Sequence, residues 1–232
     1  MTTFAQVLTR LLAAEPGRPL VTFYDDATGE RTELSVTTYA NWVAKTSSLL
    51  ADELELEAGD RLLVDLPPHW LGTVVLGAAW TVGLEVVRDG AHDAVVTGPE
   101  GVARWAAEAD RLPVVGSALL PLAGRFPDGV PADVHDLGVE VWSQPDAYVA
   151  WPGADDDTPA VEGVTHGELW AAAAAAGTDR GDRVLSEADP ASAEGLPAFT
   201  RALAGQGSLV LVVHASPERR DRIADDERVT GR

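Results

Sequence analysis

Three consecutive carboxylates, Asp155-Asp-Asp157, with Thr158 beside them and Thr165-His166 shortly after, are the side chains whose types and spacing invite a chemical reading. Clustered carboxylates can carry a hard cation such as Mg²⁺ through their oxygens. They do not make an EF-hand, which needs spaced acidic ligands, a glycine and a distal glutamate, and a solvated acidic turn accounts for them more simply. His166 stands at the start of a predicted helix, where its expected role is local packing. The five histidines, His69, His92, His135, His166 and His214, are scattered and form no His-x-x-x-His or His-Glu-x-x-His pattern, so a zinc site has no support. Cysteine is absent, which removes disulfides, thiolate metal sites and a cysteine nucleophile together. No Gly-x-Ser-x-Gly elbow is present, and Gly116-Ser117 has no convincing base partner. Gly205-Gln-Gly207 precedes a predicted strand rather than a helix, so it is a turn and not a dinucleotide fingerprint. Lys45 is the only lysine, and any mechanism that needs one has that single candidate.

The remaining composition is that of an ordinary globular protein. The chain has 232 residues, 46% hydrophobic and 23% charged, with a formal charge of −20, enough length to bury a sizeable core. Sequence-independent nucleic-acid binding requires phosphates to be neutralised by Lys and Arg, and anionic membrane surfaces make the same demand, so neither partner is expected. The most apolar segment, 69–87, is interrupted by Gly72, Gly77 and Gly83 and carries Glu85, which suits a buried element better than a membrane span. The N-terminal residues lack the basic-then-apolar pattern of a secretory signal. A cytoplasmic location is the expectation.

The elements that must position the acidic loop can be read from periodicity and punctuation. A helix is predicted over Phe4–Ala14, a hairpin from Leu20–Tyr24 and Arg31–Leu34 around Asp25-Asp-Ala-Thr-Gly29, and a second helix capped by Ser35. Lys45 falls away from that helix's apolar stripe and is expected in solvent. Leu62–Leu66 reads as a strand, and Pro67-Pro68 opens an all-round apolar helix through Trp80 that ends at Gly83, a pattern of burial between layers. Short apolar strands at Glu85–Val87, Ala94–Thr97 and Pro113–Val115 alternate with a helix near Val102–Ala109, which points to a mostly parallel α/β sheet flanked by helices. The Pro-, Gly- and Asp-rich stretch 121–146 is the expected boundary between a first α/β subdomain, 1–120, and a second βα subdomain, 147–232. In the second, Ala147–Trp151 reads as a strand, and Thr165-His-Gly-Glu168 as a capping box before an alanine-rich helix. Arg183–Ser186 and Ser208–His214 read as strands on either side of a helix over Ala193–Ala204, and Ser216-Pro217 starts the last helix. The tryptophans fall mostly within these elements, as core residues do, although Trp151 and Trp170 could flank a pocket near the acidic loop.

Three stretches give the chain a resemblance to the N-terminal part of the AMP-forming, adenylate-forming superfamily, which includes the acyl-CoA synthetases. These are Arg31-Thr-Glu-Leu-Ser35 with Gly59-Asp-Arg-Leu-Leu-Val-Asp-Leu-Pro67 and His69-Trp70; Pro145-Asp-Ala-Tyr-Val-Ala-Trp151; and Asp182-Arg-Val-Leu-Ser186 with Leu203-Ala-Gly-Gln-Gly-Ser-Leu-Val-Leu-Val212. The resemblance implies an ATP-dependent acid–thiol ligase chemistry in the family. There, a Thr-Ser-Gly-Thr-Thr-Gly-x-Pro-Lys-Gly loop holds ATP phosphates with backbone N–H groups, hydroxyls and a lysine.

In this chain the loop has changed wherever it would touch phosphate. An ungapped match keeps Pro159, Thr165, His166 and Leu169, but places Pro152, Gly153, Ala154, Asp155, Asp156 and Asp157 on the Thr-Ser-Gly-Thr-Thr-Gly run and Ala160 on the lysine. A shifted register puts Glu162 there instead. One like-charge pair about 4 Å apart costs roughly 4 kcal/mol at an effective dielectric near 20, so the three aspartates would repel a triphosphate. The chain also stops before the family's Tyr-Gly-x-Thr-Glu motif, ribose-binding aspartate and C-terminal catalytic lysine. The reading is therefore a pseudoenzyme that retains the scaffold for binding or assembly, with no catalytic residues, no metal and no cofactor, ATP and Mg²⁺ being the family's expectation. Trp151, Gly153, Asp155, Asp156, Asp157, Thr158, Thr165 and His166 mark the degenerate loop and candidate ligand site. A homodimer or a protein partner is expected. The alternatives are a binder of an adenine nucleotide or acyl group at the strand ends near Trp151-Pro-Gly-Ala154, and one half of a two-chain adenylating enzyme.

Overall fold

A computed structural model describes residues 2–177 and 179–231. Its architecture follows from strands that are apolar on both faces. In the first sheet, β1 (Pro19–Asp25) lies between β2 (Glu30–Ser35), antiparallel to it, and β11 (Ser208–Val213), parallel to it, with β10 (Arg183–Ser186) beyond β11. The second sheet has seven strands in the order β7 (Val134–Asp136), β6 (Val114–Gly116), β5 (Ala94–Thr97), β3 (Arg61–Asp65), β4 (Glu85–Val87), β8 (Pro159–Val161) and β9 (Val164–Thr165). All its pairings are parallel except that of β8 with β9.

Alternation along the strands sorts the helices into layers. Phe23, Leu209 and Leu211 of the first sheet and Leu62, Val64 and Val96 of the second share one core. Helices α1 (Phe4–Ala14), α2 (Val36–Ser48), α3 (Trp70–Val82), α6 (His166–Ala175) and α7 (Leu196–Ala204) contribute to that same core and so lie between the sheets. The opposite face of the first sheet, Leu185, Val210 and Val212, is covered by Ile223 and Ala224 of α8 (Pro217–Asp226). The opposite face of the second packs Leu63, Val87 and Val95 against Trp105 of α4 (Pro99–Trp105). Helix α3 is apolar all round because it runs through the middle layer, where every described residue except Thr81 is buried. A Cβ on Gly77 would lie 2.5 Å from the Tyr39 hydroxyl and 2.8 Å from Val43, so only glycine lets α3 and α2 approach this closely.

The mostly parallel α/β class agrees with the sequence reading, and several details differ. Ala147–Trp151 is not a strand: the place beside β4 is filled by Pro159–Val161 instead. The sheets also do not divide at 121–146. The first sheet joins strands from both ends of the chain, and the expected connector itself supplies β7 and the short helix α5 (Leu137–Glu140). Lys45 is not in open solvent either. Its Nζ donates to the Gln144 carbonyl and lies 3.1 Å from Asp146, tying α2 to that connector.

Candidate functional site

The acidic loop is built to satisfy its own donors. The Asp155 carboxylate accepts from the N–H groups of Asp157 (3.1 Å) and Thr158 (3.0 Å) and from the Thr158 hydroxyl (2.8 Å), while Thr158 Oγ1 accepts from the Asp155 N–H (3.0 Å). These bonds, led by that from the Thr158 hydroxyl, hold the Asp155 carboxyl below its ordinary range. The carboxylate thus occupies the concavity of N–H groups that an external anion would use.

The first turn of α6 is closed in the same way. Its N–H groups at His166 and Gly167 donate to the carbonyls of Thr158 (2.9 Å) and Asp156 (2.9 Å). The N–H of Glu168 donates to Thr165 Oγ1 (3.3 Å), and Glu168 accepts from the Thr165 N–H (3.0 Å), the reciprocal bonds of a capping box. A helix N-terminus binds anions through its free N–H groups, and here the first three are taken by the chain itself.

The position matched to the family's lysine is inside the protein. Ala160 is fully buried, and its carbonyl accepts from the indole N–H of Trp80 at 3.1 Å. Glu162 and Gly163, at φ 47° and 81°, form the two-residue turn between β8 and β9, a conformation that favours glycine at the second position. Glu162 pairs with Arg88, and the Gly163 N–H donates to Glu85 at 2.6 Å. In either register, the lysine position has become part of the attachment of this hairpin to β4.

The other loop residues are dispersed. Trp151 is 97% exposed and Val149 88%, and Gly153 is also exposed. Trp170, in contrast, is buried against Phe4 and Trp80, so Trp151 and Trp170 do not flank a common pocket. His166 is fully buried next to Trp80 with neither ring nitrogen hydrogen-bonded. Burial lowers its pKa to about 4, against the opposing pull of Asp155 and Asp156, so it is neutral at physiological pH. Among the described residues no group of three or more His, Asp or Glu side chains could hold a metal ion, and no helix is long and apolar enough to cross a membrane.

A different place carries the open geometry. At the carboxyl ends of β1, β11, β3 and β6, where ligands of open α/β sheets are usually held, lies a crevice of about 600 Å³. Phe23, Pro67, Leu120 and Val213 give it apolar walls, and Asp25, Thr28, Glu30, Glu187, His69 and His214 are its polar lining. His214, in the left-handed region at φ 58°, turns back so that its Nδ1 lies 2.8 Å from Asp25 Oδ1. Burial opposes ionisation of Asp25, but bonds from His214, the Ala27 N–H and Thr28 outweigh it and keep the carboxyl below its usual range.

His69 forms the floor. It caps α3: its Nδ1 accepts the Leu71 N–H at 3.2 Å. The ring is 4% exposed, set edge-on against Phe23 (4.7 Å between centroids), and burial lowers its pKa to about 4 despite the nearby Asp25. A neutral ring that accepts at Nδ1 carries its proton on Nε2, and that buried nitrogen has no hydrogen-bond partner. The sequence reading missed this residue. The available signal was a histidine between Pro67-Pro68 and a long apolar helix, the place of an N-cap.

No family model matches the chain. A Mycobacterium tuberculosis protein described as a TIGR03089 family protein is 36% identical over 231 residues, which cover 97% of this chain and 95% of the relative. Among solved structures, the N-terminal domain of FACL13 from Mycobacterium tuberculosis is similar with a TM-score of 0.73 at 14% identity, over 99% of this chain and 62% of that one. The acyl-CoA synthetase of Brucella canis gives a TM-score of 0.76 at 18% identity, over 100% of this chain and 50% of that one. The chain therefore has the fold of the N-terminal part of acyl-CoA synthetases and spans 50% to 62% of the length of these two structures.

Proposed function

Because the chain belongs to the TIGR03089 family and has the fold of the front part of acyl-CoA synthetases, we propose that it is a non-adenylating relative in which that scaffold serves binding or assembly. One observation carries this reading: the N–H groups of the phosphate-loop region and of the first turn of α6 are already bonded to Asp155, Asp156, Thr158 and Thr165. A triphosphate would have to break these bonds and displace a carboxylate before it could be held. The burial of Ala160 supports the same reading, because no cationic side chain stands at that position.

Calorimetric titration with Mg-ATP and with AMP tests it. No saturable heat is expected with either. Saturable Mg-ATP binding that disappears in Asp156→Arg would overturn the proposal, since it would make the acidic loop a metal-dependent nucleotide site.

The exposed apolar residues favour assembly as part of this role. Trp151 and Val149 stand almost wholly in solvent, and Trp142 is 55% exposed, apolar surface that a partner could cover. We place the protein in the cytosol as a homodimer or bound to another protein. Light scattering of the wild type and of a Val149→Ser/Trp151→Ser double variant checks the dimer. A wild type that is monomeric at high concentration would remove it and leave a different protein as the partner.

A further inference from the structure

Just before the acidic loop, the chain leaves a stretch of its own backbone unused. On one side of it the Gln144 N–H is bonded to the Val141 carbonyl and Asp146 is paired with Lys45; on the other, the turn at Asp155–Thr158 is closed on itself. Between these anchors, none of residues 147–154 makes a hydrogen bond to another described residue. Exposed backbone N–H and C=O groups in this state are met by water and remain available to an incoming chain.

The side chains of this stretch follow the period of a strand. Tyr148 packs against the core and Ala150 is half-buried, whereas Ala147, Val149 and Trp151 are exposed, the last two by 88% and 97%. Inward and outward residues thus alternate over five positions, as in a strand with one solvated face. It lacks only a neighbour, because β8 occupies the edge of β4. Lysine or proline commonly blunts an exposed edge, and neither occurs between Ala147 and Trp151.

Charge decides what kind of neighbour fits. The exposed side chains of Asp146, Asp155 and Asp157 flank the stretch. Burial and, next, the charge of Asp52 raise the pKa of Tyr148, which sets a further carboxylate beside it. Lys45, the cation paired with this segment, is committed to Asp146 and to the Gln144 carbonyl. A second copy pairing through the same residues would bring these carboxylates against their equivalents, on a chain whose formal charge is −20. A strand bordered by Lys or Arg meets attraction instead.

We propose that residues 147–151 dock by adding a strand to the exposed sheet edge of a different protein, one with basic residues beside that edge and apolar pockets for Val149 and Trp151. This rests on the assembly reading above and chooses between its two kinds of partner. It does not depend on whether the acidic loop is closed to nucleotide.

The test uses the full chain labelled with ¹⁵N. The probe is a disulfide-closed β-hairpin peptide of alternating Val and Thr with lysines at its strand ends, compared with the same hairpin carrying glutamates there. The lysine hairpin is expected to shift the amides of 147–151 saturably and to slow hydrogen exchange at every second one, the pattern of a single paired edge. The glutamate hairpin should bind about tenfold more weakly or worse, and raising the ionic strength from about 0.1 M to about 1 M should weaken the lysine hairpin. Val149→Ser/Trp151→Ser keeps every charge and should lose about tenfold or more of the affinity. No saturable change with the lysine hairpin would overturn the proposal. So would equal binding of the two hairpins, or undiminished affinity in the double variant. A wild-type dimer in light scattering that the double variant abolishes would also overturn it while upholding assembly, since the occupant would then be a second copy. Saturable Mg-ATP binding would sink the non-adenylating reading and leave the hairpin result standing.

Discussion

The loop at 155–168 and the crevice around His69 both place a helix N-terminus, acidic side chains and a buried histidine close together, yet their polar groups are settled in opposite ways. In the loop, Asp155 and Thr165 take up the free N–H groups, and His166 is enclosed by Trp80 with no polar neighbour bonded to it. In the crevice, His69 satisfies the helix with one nitrogen, and its other nitrogen is buried without a partner. Composition does not separate the two regions. What separates them is openness: His166 is enclosed beside Trp80, whereas His69 belongs to the lining of the crevice.

The contrast can be broken most severely at Ala160. Putting the family's lysine back, Ala160→Lys, buries an unpaired charge against Trp80, and unfolding by urea should show a loss of about 4 kcal/mol or more with no gain of Mg-ATP affinity. A stable variant that binds Mg-ATP would mean that the loop is closed only by its sequence and not by its packing.

Acid should produce the next largest effect. Burial holds both His69 and His166 at about 4 against an ordinary value of 6.5, so the unfolded chain takes up protons first as the pH falls. The stability attached to the neutral rings is complete above about pH 6.5. It declines through the interval down to about pH 4, by at most about 3 kcal/mol per histidine. Denaturation midpoints measured across that interval should fall, and His166→Leu should remove one histidine's share of the pH dependence while His69→Asn removes the other. A flat profile in the wild type would show that neither ring is held neutral.

The smallest effect sharpens the comparison. Thr165→Ala removes the cap of α6 and should cost about 1 kcal/mol, with faster amide exchange at 166–168. Unchanged exchange at these amides would show that the Thr165 hydroxyl does not hold the first turn.

Much of the scaffold was legible because local chemistry and tertiary placement agree. The capping box Thr165–Glu168, the Ser216-Pro217 start of α8 and the apolar run Ala94–Thr97 all appear where their residue types put them. Ala147–Trp151 has the aromatic and β-branched content of a strand, but strand formation needs an available neighbour, and β8 already occupies the edge of β4. β7 was hidden because three residues within a Pro- and Gly-rich stretch give no periodic signal. Of the candidate site, Asp155 and Thr158 were named together, but the bonds between them were not visible. These depend on side-chain rotamers and on a turn whose closure no spacing rule specifies. His69 was quoted only in the histidine census and in a resemblance, since an orphaned nitrogen becomes apparent only when every neighbour has been located.

The central position of β1 also sets the order in which the molecule can be completed. Val21 pairs with Leu209 and Asp25 with Val213, so during synthesis the β1–β2 hairpin emerges early with one long apolar edge uncovered. At about 5–20 residues per second that edge waits roughly ten to forty seconds for its neighbour. Until then nothing in the first sheet can close, and the hairpin is exposed to pairing with other nascent chains. The helices of the middle layer that emerge first, α1, α2 and α3, cover one face of the hairpin in that interval. A destabilised α1 should therefore appear first as poor yield and aggregation during expression, before any change in the finished protein's stability is measurable.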